Sequence, residues 1–508
     1  MIRFLPEKYS NPEILLKKLK SEPANLWVKK GESGALKFFH EAAERVPAYK
    51  DFLKKRGIKH KSIKTIKDFR KVPFTDKNNY LRKYSFADLS WDGRFSEKRW
   101  VISSTSGSTG EPFYFPRERW QDMQYAGTAE LYLRANFNIH KKSTLYINCF
   151  ALGVWIGGIF TYEAVKLIAE KGKYKLSIIN PGLNKNEIFK AVKRLGHEFE
   201  QLIIGGYSPF VKDVIDEGEK EGISWKDYDI GFVFSAEAFS EEFRDYIIKK
   251  CGIKNPFKGT LNHYGTVDQG TLAHETPLAV MIRKMAVKNK KFFDMVFRNK
   301  EGRLPTLAQY DPEMFFFEEV DGGLICTAAS GLPLIRYDLK DYGGIIDFDE
   351  MVQNFYSAGF DFKRETKKRD IADSVWRLPF VYVFERKDFS VSLAGANIYP
   401  ETVKRALTSV KIAGKLTGKF SMSVENDKNY NQLLKINIEL KKGVKKASKS
   451  FRRMTTDIIL RRLLKENSEF RSVFHDQKGG RAIPKIVFWP YEYPLYFSGK
   501  GKQKWVIK

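Results

Sequence analysis

Cysteine is scarce in this chain. There are three among 508 residues, Cys149, Cys251 and Cys326, and no two stand close enough to form a C-x-x-C pair. That argues against a disulfide framework and a zinc knuckle, and it fits a reducing, cytoplasmic setting. Long apolar runs are missing too. The longest, Cys149 to Phe160, is interrupted by glycine and falls short of the roughly 20 residues that a membrane-crossing helix needs. The opening stretch, Met1-Ile2-Arg3-Phe4-Leu5-Pro6-Glu7-Lys8, is too charged and broken to read as a secretory signal. Acidic residues are outnumbered: 61 Asp and Glu face 89 Lys and Arg, for a formal charge of +28. Such an excess attracts anions of any kind, from nucleic acid to a membrane face to small phosphates, and it equally describes a solvated basic surface. There is no internal repeat.

What is present has an ordinary globular balance, 43% hydrophobic and 30% charged. A chain of 508 residues exceeds what one core usually serves, so two or more domains are expected. Residues 1–95 read as basic helices, with apolar residues at helical spacing on both sides of Pro47. They read as scaffold. Residues 96–384 read as the rest of a large domain, and 96–345 alternate strand and helix signals. Strands are expected at Thr144–Cys149, Leu176–Ile179, Gln201–Ile204, Asp229–Phe234 and Leu324–Thr327, with helices such as Ser240–Lys250 between them. Alternation of this kind predicts an α/β fold, parallel-type sheets covered by helices, with ligands at the loops after strand ends. A boundary falls where the strand Val381–Phe384 runs into Glu385-Arg386-Lys387-Asp388. Residues 385–508 then read as a small α+β domain.

One stretch stands apart. Ser103-Ser104-Thr105-Ser106-Gly107-Ser108-Thr109-Gly110 is eight consecutive Ser, Thr or Gly residues, followed by Glu111-Pro112. Strand-like runs, Arg99–Ile102 and Phe113–Phe115, flank it. Backbone N–H groups and hydroxyls converge there with little side chain in the way. Composition alone allows either a flexible turn or a phosphate cradle. It is not a P-loop of the G-x-x-x-x-G-K-[ST] kind, because no Lys follows Gly110.

The order Thr-Ser-Gly-Ser-Thr-Gly-x-Pro resembles the phosphate-binding loop of the adenylate-forming superfamily, and most closely its phenylacetate–CoA ligase-like group, which includes capsule-biosynthesis and coenzyme F390 synthetase-like proteins. Further segments resemble that superfamily in the same order. Ser235-Ala236-Glu237 is similar to its adenine-pocket motif. Tyr264-Gly265-Thr266-Val267-Asp268 is similar to its Tyr-Gly-x-Thr/Ser-Glu motif, with Asp268 where Glu is usual. Pro333-Leu334-Ile335-Arg336-Tyr337-Asp338-Leu339-Lys340-Asp341 resembles the ribose-binding motif, with Lys340 in place of Gly. Glu385-Arg386-Lys387-Asp388 resembles the Gly-Arg-x-Asp hinge, Gly395-Ala396-Asn397 the loop beyond it, and Ser498-Gly499-Lys500-Gly501-Lys502 the C-terminal Gly-Lys loop.

The resemblance implies an ATP-dependent ligase. It activates a carboxylic acid, aryl or acyl, as acyl-AMP and passes it to an acceptor thiol, CoA in the simplest case. Ser104, Thr105, Ser106, Gly107, Ser108, Thr109 and Gly110 are implied to hold ATP phosphates. Ser235, Ala236, Glu237, Tyr264, Gly265, Thr266 and Arg386 are implied to hold the rest of the nucleotide, and Asp341 the ribose, with Asp338 as the second candidate for that last role. Asp268 is implied to serve Mg²⁺ directly or through water. Lys502 is implied as the catalytic lysine, with Lys500 as runner-up. Asp388 is the implied hinge of a mobile small domain, and Gly395 borders the acceptor channel. Trp155, Tyr207 and Ser208 fall in the implied acyl pocket, although aromatics there also serve as core. No zinc is expected: His274 lacks cysteine neighbours and reads as a satisfied surface residue. Two other readings stay open. The acceptor is an amine, a carrier protein or a sugar, or AMP itself is the group transferred. More remotely, the basic stripe Lys441–Arg462 binds nucleic acid or a membrane surface.

Overall fold

The main sheet has eleven strands and two halves of different character. In this computed structural model, the described residues are 11–105, 112–298, 304–386, 390–407, 409–444, 446–476, 480–497 and Val506. One half runs Leu176–Ile179, Thr144–Asn148, Gln201–Tyr207, Ile230–Ser235, Thr260–Thr266 in spatial order. Its recorded pairings are parallel, Thr144 opposite both Leu176 and Gln201, and Phe232 opposite Thr260. Each of these strands is followed by a helix or a hairpin, as parallel crossovers require. The helix Glu241–Cys251 starts where the sequence signals it. Ser240 accepts a hydrogen bond from the Phe243 N–H at 3.3 Å, and Glu241 and Glu242 sit in the first turn.

The other half was not expected to be antiparallel. From Thr260–Thr266 the sheet continues through Gly270–His274, Thr306–Gln309, Phe380–Arg386, Leu334–Ile346, Gly323–Ala328 and Phe315–Val320, and the recorded pairings are antiparallel. These strands are buried nearly end to end, Thr306–Gln309 and Gly323–Ala328 completely so. The period-two alternation that announces a half-exposed antiparallel strand is therefore absent.

The chain divides into two compact units. The larger ends at Glu385, and the smaller holds Arg386–Lys508 together with Ser104–Phe113 and Tyr207–Asp213. In the smaller unit, Leu416–Asn426 and Gln432–Leu440 pair antiparallel, and Lys485–Trp489 adds in parallel. Helices Pro400–Leu407 and Lys449–Glu466 contribute Val403, Phe451, Ile459 and Leu463 to its apolar core. The second helix buries only that stripe, and its lysines and arginines lie on the remaining, wetter surface. Tyr207–Asp213 belongs to this unit by polar links. Lys212 donates to Asn431 at 2.9 Å and Arg481 to Asp213 at 2.6 Å. Among the described residues, no helix is long and apolar enough to cross a membrane.

Candidate active site

The Ser/Gly stretch connects two paired strands, Val101–Ser104 and Tyr114–Arg117. Its neck is closed by two bonds: the Thr105 N–H donates to the Phe113 carbonyl at 3.0 Å, and the Phe113 N–H to Thr105 Oγ1 at 2.9 Å. The Ser104 hydroxyl donates to the Thr105 carbonyl at 3.0 Å. Ser106, Gly107, Ser108, Thr109 and Gly110 lie outside the described residues, as do Asp388, Lys500 and Lys502 and the side chain of Arg386.

Three motifs far apart in sequence meet in the larger unit. The strand Ile230–Ser235 ends in a turn at Ala236, whose φ is +75°. Few residues other than glycine take that conformation, so the turn is held from outside. Asn262 does this: its Nδ2 donates to the Glu237 carbonyl at 3.0 Å, and its Oδ1 is buried with no partner among the described residues. Behind Asn262 lies an ionic cluster. Glu275 accepts from the Asn262 N–H at 2.8 Å and from Arg244 and Arg283 at 2.7 and 2.8 Å. Arg283 also donates to the Phe239 carbonyl at 2.5 Å. All three charged side chains are fully buried. Glu241, against Arg244 and Arg283, stays below the ordinary carboxyl range because their charges outweigh the opposing effect of burial.

On the next strand Tyr264 donates its hydroxyl to Asp341 at 2.6 Å, joining the second motif to the third. Gly265 permits the close hairpin there, since a Cβ would stand 2.7 Å from the Gly270 carbonyl oxygen. Thr266 Oγ1 is used locally, accepting from the Gln269 N–H at 3.2 Å. Counted from Tyr264, the hydroxyl position of the family form falls at Val267. Asp338 is engaged elsewhere: it accepts from the Lys340 N–H and Nζ, both at 2.9 Å. Lys340 has φ +62°, which gives the physical reason for glycine at this position in the family. Here the side chain tethers the strained backbone to Asp338 and, at 3.0 Å, to Asp76.

Asp76 introduces what the sequence reading missed. The segment around Val72–Lys77, read as scaffold, runs beside the ribose motif. The Thr75 N–H donates to the Arg336 carbonyl at 3.1 Å, and the Asp338 N–H to the Thr75 carbonyl at 2.9 Å. Lys77 lies 3.3 Å from Asp268 Oδ1, and the Tyr337 hydroxyl donates to Asp268 Oδ2 at 2.6 Å. The clue available in sequence was Val72-Pro73-Phe74-Thr75-Asp76-Lys77 itself, which carries an acid and a base beside a proline turn. One carboxylate shared with a lysine fits a magnesium ion that arrives on a nucleotide and takes most of its ligands from phosphate and water. Among the described residues, no group of three or more His, Cys, Asp or Glu is placed to hold a metal.

His274 is not the surface residue that was expected. It is buried, packs against Tyr132 and Trp376, and pairs its Nδ1 with the Glu275 carbonyl at 3.0 Å. Burial lowers its pKa to about 4, and that of His263 to about 3 with help from His274. In the smaller unit Gly395 has φ +88°, and a Cβ there would sit 3.5 Å from the Tyr207 ring, so these two predicted residues do meet. Ser208 is buried at the start of the helix Ser208–Lys220. Trp155 is half-buried and precedes the helix Ile156–Glu170.

The same fold is found in solved structures of a CoA ligase. A solved structure of 2-hydroxyisobutyryl-CoA ligase, in complex with 2-HIB-AMP and CoA in the thioesterification state, aligns with a TM-score of 0.64 at 14% identity, over 97% of this chain and 91% of that one. An open conformation of the same enzyme aligns with a TM-score of 0.54 at 14% identity, over 97% and 94%. By sequence, the chain is similar to the phenylacetate-coenzyme A ligase of Thermus thermophilus, 21% identical over 217 residues, 42% of this chain. The match spans 45% of that relative's length. No protein-family model matches.

Proposed function

We propose that this chain is an ATP-dependent ligase that converts a carboxylic acid to its acyl-AMP and hands the acyl group to a thiol, with CoA as the acceptor. The observation that carries this reading is the Tyr264–Asp341 hydrogen bond, 2.6 Å across 77 residues. It joins a ring suited to stack on adenine to a carboxylate suited to two ribose hydroxyls, beside a Glu237 loop pinned by Asn262. The buried, unpartnered Asn262 Oδ1 suits the exocyclic amine of adenine, since a buried acceptor left unpaired is costly.

In the reaction, a carboxylate oxygen attacks the α-phosphorus in line and the bond to the β-phosphate oxygen breaks, releasing pyrophosphate. The Ser103–Gly110 loop and Lys77 take the phosphates. Asp268 would hold a magnesium ion, which would supply charge neutralisation at the phosphates. Lys502 bridges the carboxylate and the α-phosphate, where electrostatic support contributes most. The small domain then turns about Asp388. The thiolate attacks the acyl carbonyl, and AMP leaves. Three buried thiols suit a reducing cytoplasm.

The test is ATP–pyrophosphate exchange over a panel of acids, followed by assay for AMP and thioester after adding CoA. Exchange without thioester, rescued by an amine or carrier, identifies another acceptor. AMP retained in the product identifies an adenylyltransferase. No exchange with any acid and no AMP release overturns the ligase. Lys502→Ala is expected to lower exchange about a hundredfold or more, and Lys500→Ala much less. Equal activity in Lys502→Ala shifts the role to Lys500.

A further inference from the structure

Two of the buried arginines, Arg244 and Arg336, show how such donors are used. Arg244 finds a partner for every nitrogen, in Glu241, Glu275 and Thr260. Arg336 bonds Glu318 at 3.0 Å and the Val72 carbonyl. Arg117 differs. It is 3% exposed, and its Nε donates to Asp122 at 2.6 Å. Nη1 and Nη2 are both buried with no partner among the described residues. A guanidinium presents its terminal N–H groups as a fork that matches two acceptor oxygens. Buried guanidinium donors left without a protein partner are costly, so the fork points to a ligand.

The surroundings say where that ligand lies. The Arg117 guanidinium stands 4.6 Å from the centre of the Phe160 ring, and Phe160 stacks on Tyr125 at 4.4 Å. Phe160 belongs to the helix Ile156–Glu170, which follows Trp155 and the implied acyl-pocket segment. Its other flank fits against Gly270, where a Cβ would stand 2.8 Å away. Gly270 comes two residues after Asp268. The row Arg117, Phe160, Tyr125 therefore runs from strand to helix beside the segments assigned to acid and nucleotide: an apolar stack with unfilled donors at one end.

We propose that Arg117 is the specificity site for the acid. The substrate carries, at the end remote from its reacting carboxyl, an oxygen acceptor that the Arg117 fork receives. This rests on the ligase reading above. The acceptor is a second carboxylate or a neutral carbonyl; the two share the chemistry, and the substrates below separate them.

The experiment compares matched acids on the full chain by ATP–pyrophosphate exchange. Each acid with a remote methyl is paired with the analogue in which that methyl is a carboxylate, and with the one in which it is a carboxamide. The oxygen-bearing member is expected to exceed its apolar partner in kcat/KM by about a hundredfold, since a site built around hydrogen bonds rejects ligands that cannot make them. Whichever analogue wins identifies the acceptor. Arg117→Lys keeps a cation opposite Asp122 but loses the fork, and should bring the ratio close to one, chiefly through KM. Should that variant not fold, Arg117→Met with Asp122→Leu removes the pair together and is read the same way. An apolar acid equal to or better than its partners overturns the proposal, as does an unchanged ratio in the folded variant. If exchange fails with every acid, the ligase reading falls, and calorimetric binding of the same pairs tests Arg117 separately. Tighter binding of the oxygen-bearing members supports it, and no preference overturns it.

Discussion

Arg244 and Arg117 are both buried and both sit beside a carboxylate, yet they spend their donors in opposite ways. Around Arg244 the network closes on itself. Glu241, Glu275 and Thr260 take the Arg244 donors, and further bonds from the cluster reach Asn262 and Phe239. Around Arg117 a single bond is made and the fork stays open. A saturated polar network fixes a shape before any ligand arrives. An open one waits for the ligand to finish it. On the proposed reading, the nucleotide side is prewired and the acid side holds the open fork.

The largest way to break this contrast is Glu275→Ala. It strips the shared carboxylate from two fully buried arginines and should cost about 3–5 kcal/mol of unfolding free energy, read by denaturant titration. A cost near that of an ordinary surface change would mean the cluster frames nothing. Next comes Tyr264→Phe. It leaves the packing and removes the bond to Asp341, so the KM for ATP should rise about tenfold, a loss of roughly 1.4 kcal/mol. The thermal midpoint should barely move. An unchanged KM would detach this pair from nucleotide binding. The smallest effect compares Lys340→Ala with Lys340→Gly. Both lose the ties to Asp76 and Asp338, but only alanine must hold φ near +62°, so it should be less stable than glycine by about 1 kcal/mol. Equal stabilities would show that the turn relaxes.

How legible this was in sequence depended on how local the signal is. The Ser240 cap, the helix Pro400–Leu407 and the strand Leu176–Ile179 lie where expected, because caps, proline and β-branched runs act within a few residues. The antiparallel half of the sheet was poorly marked, since its strands are buried on both faces and their partners are distant. Leu334–Ile346 read as a binding motif, not as a thirteen-residue strand. The motif residues themselves were recognisable by order, and the structure brings Tyr264 to Asp341. What escaped was whatever depends on contact at long range: Lys77 beside Asp268, the burial of His274, and the open fork of Arg117. The Lys340 departure looked like added charge near the nucleotide. Its backbone conformation reveals instead a glycine position occupied by a tethered lysine.

The stitching of Thr75 to the ribose motif has a consequence in time. The Thr75 hydroxyl donates to the Ile335 carbonyl, 260 residues downstream. At ordinary synthesis rates that interval takes roughly 13–50 s. Throughout it the segment that will carry Asp76 and Lys77 has no strand to lie beside. The helices Ala24–Arg45 and Pro47–Lys55 can pack early on their own local contacts, but the Thr75 pairing cannot form until the ribosome has passed Leu334–Ile346. Nascent chains shorter than that point should hold the N-terminal helices while leaving the edge meant for Tyr337 open to chaperones.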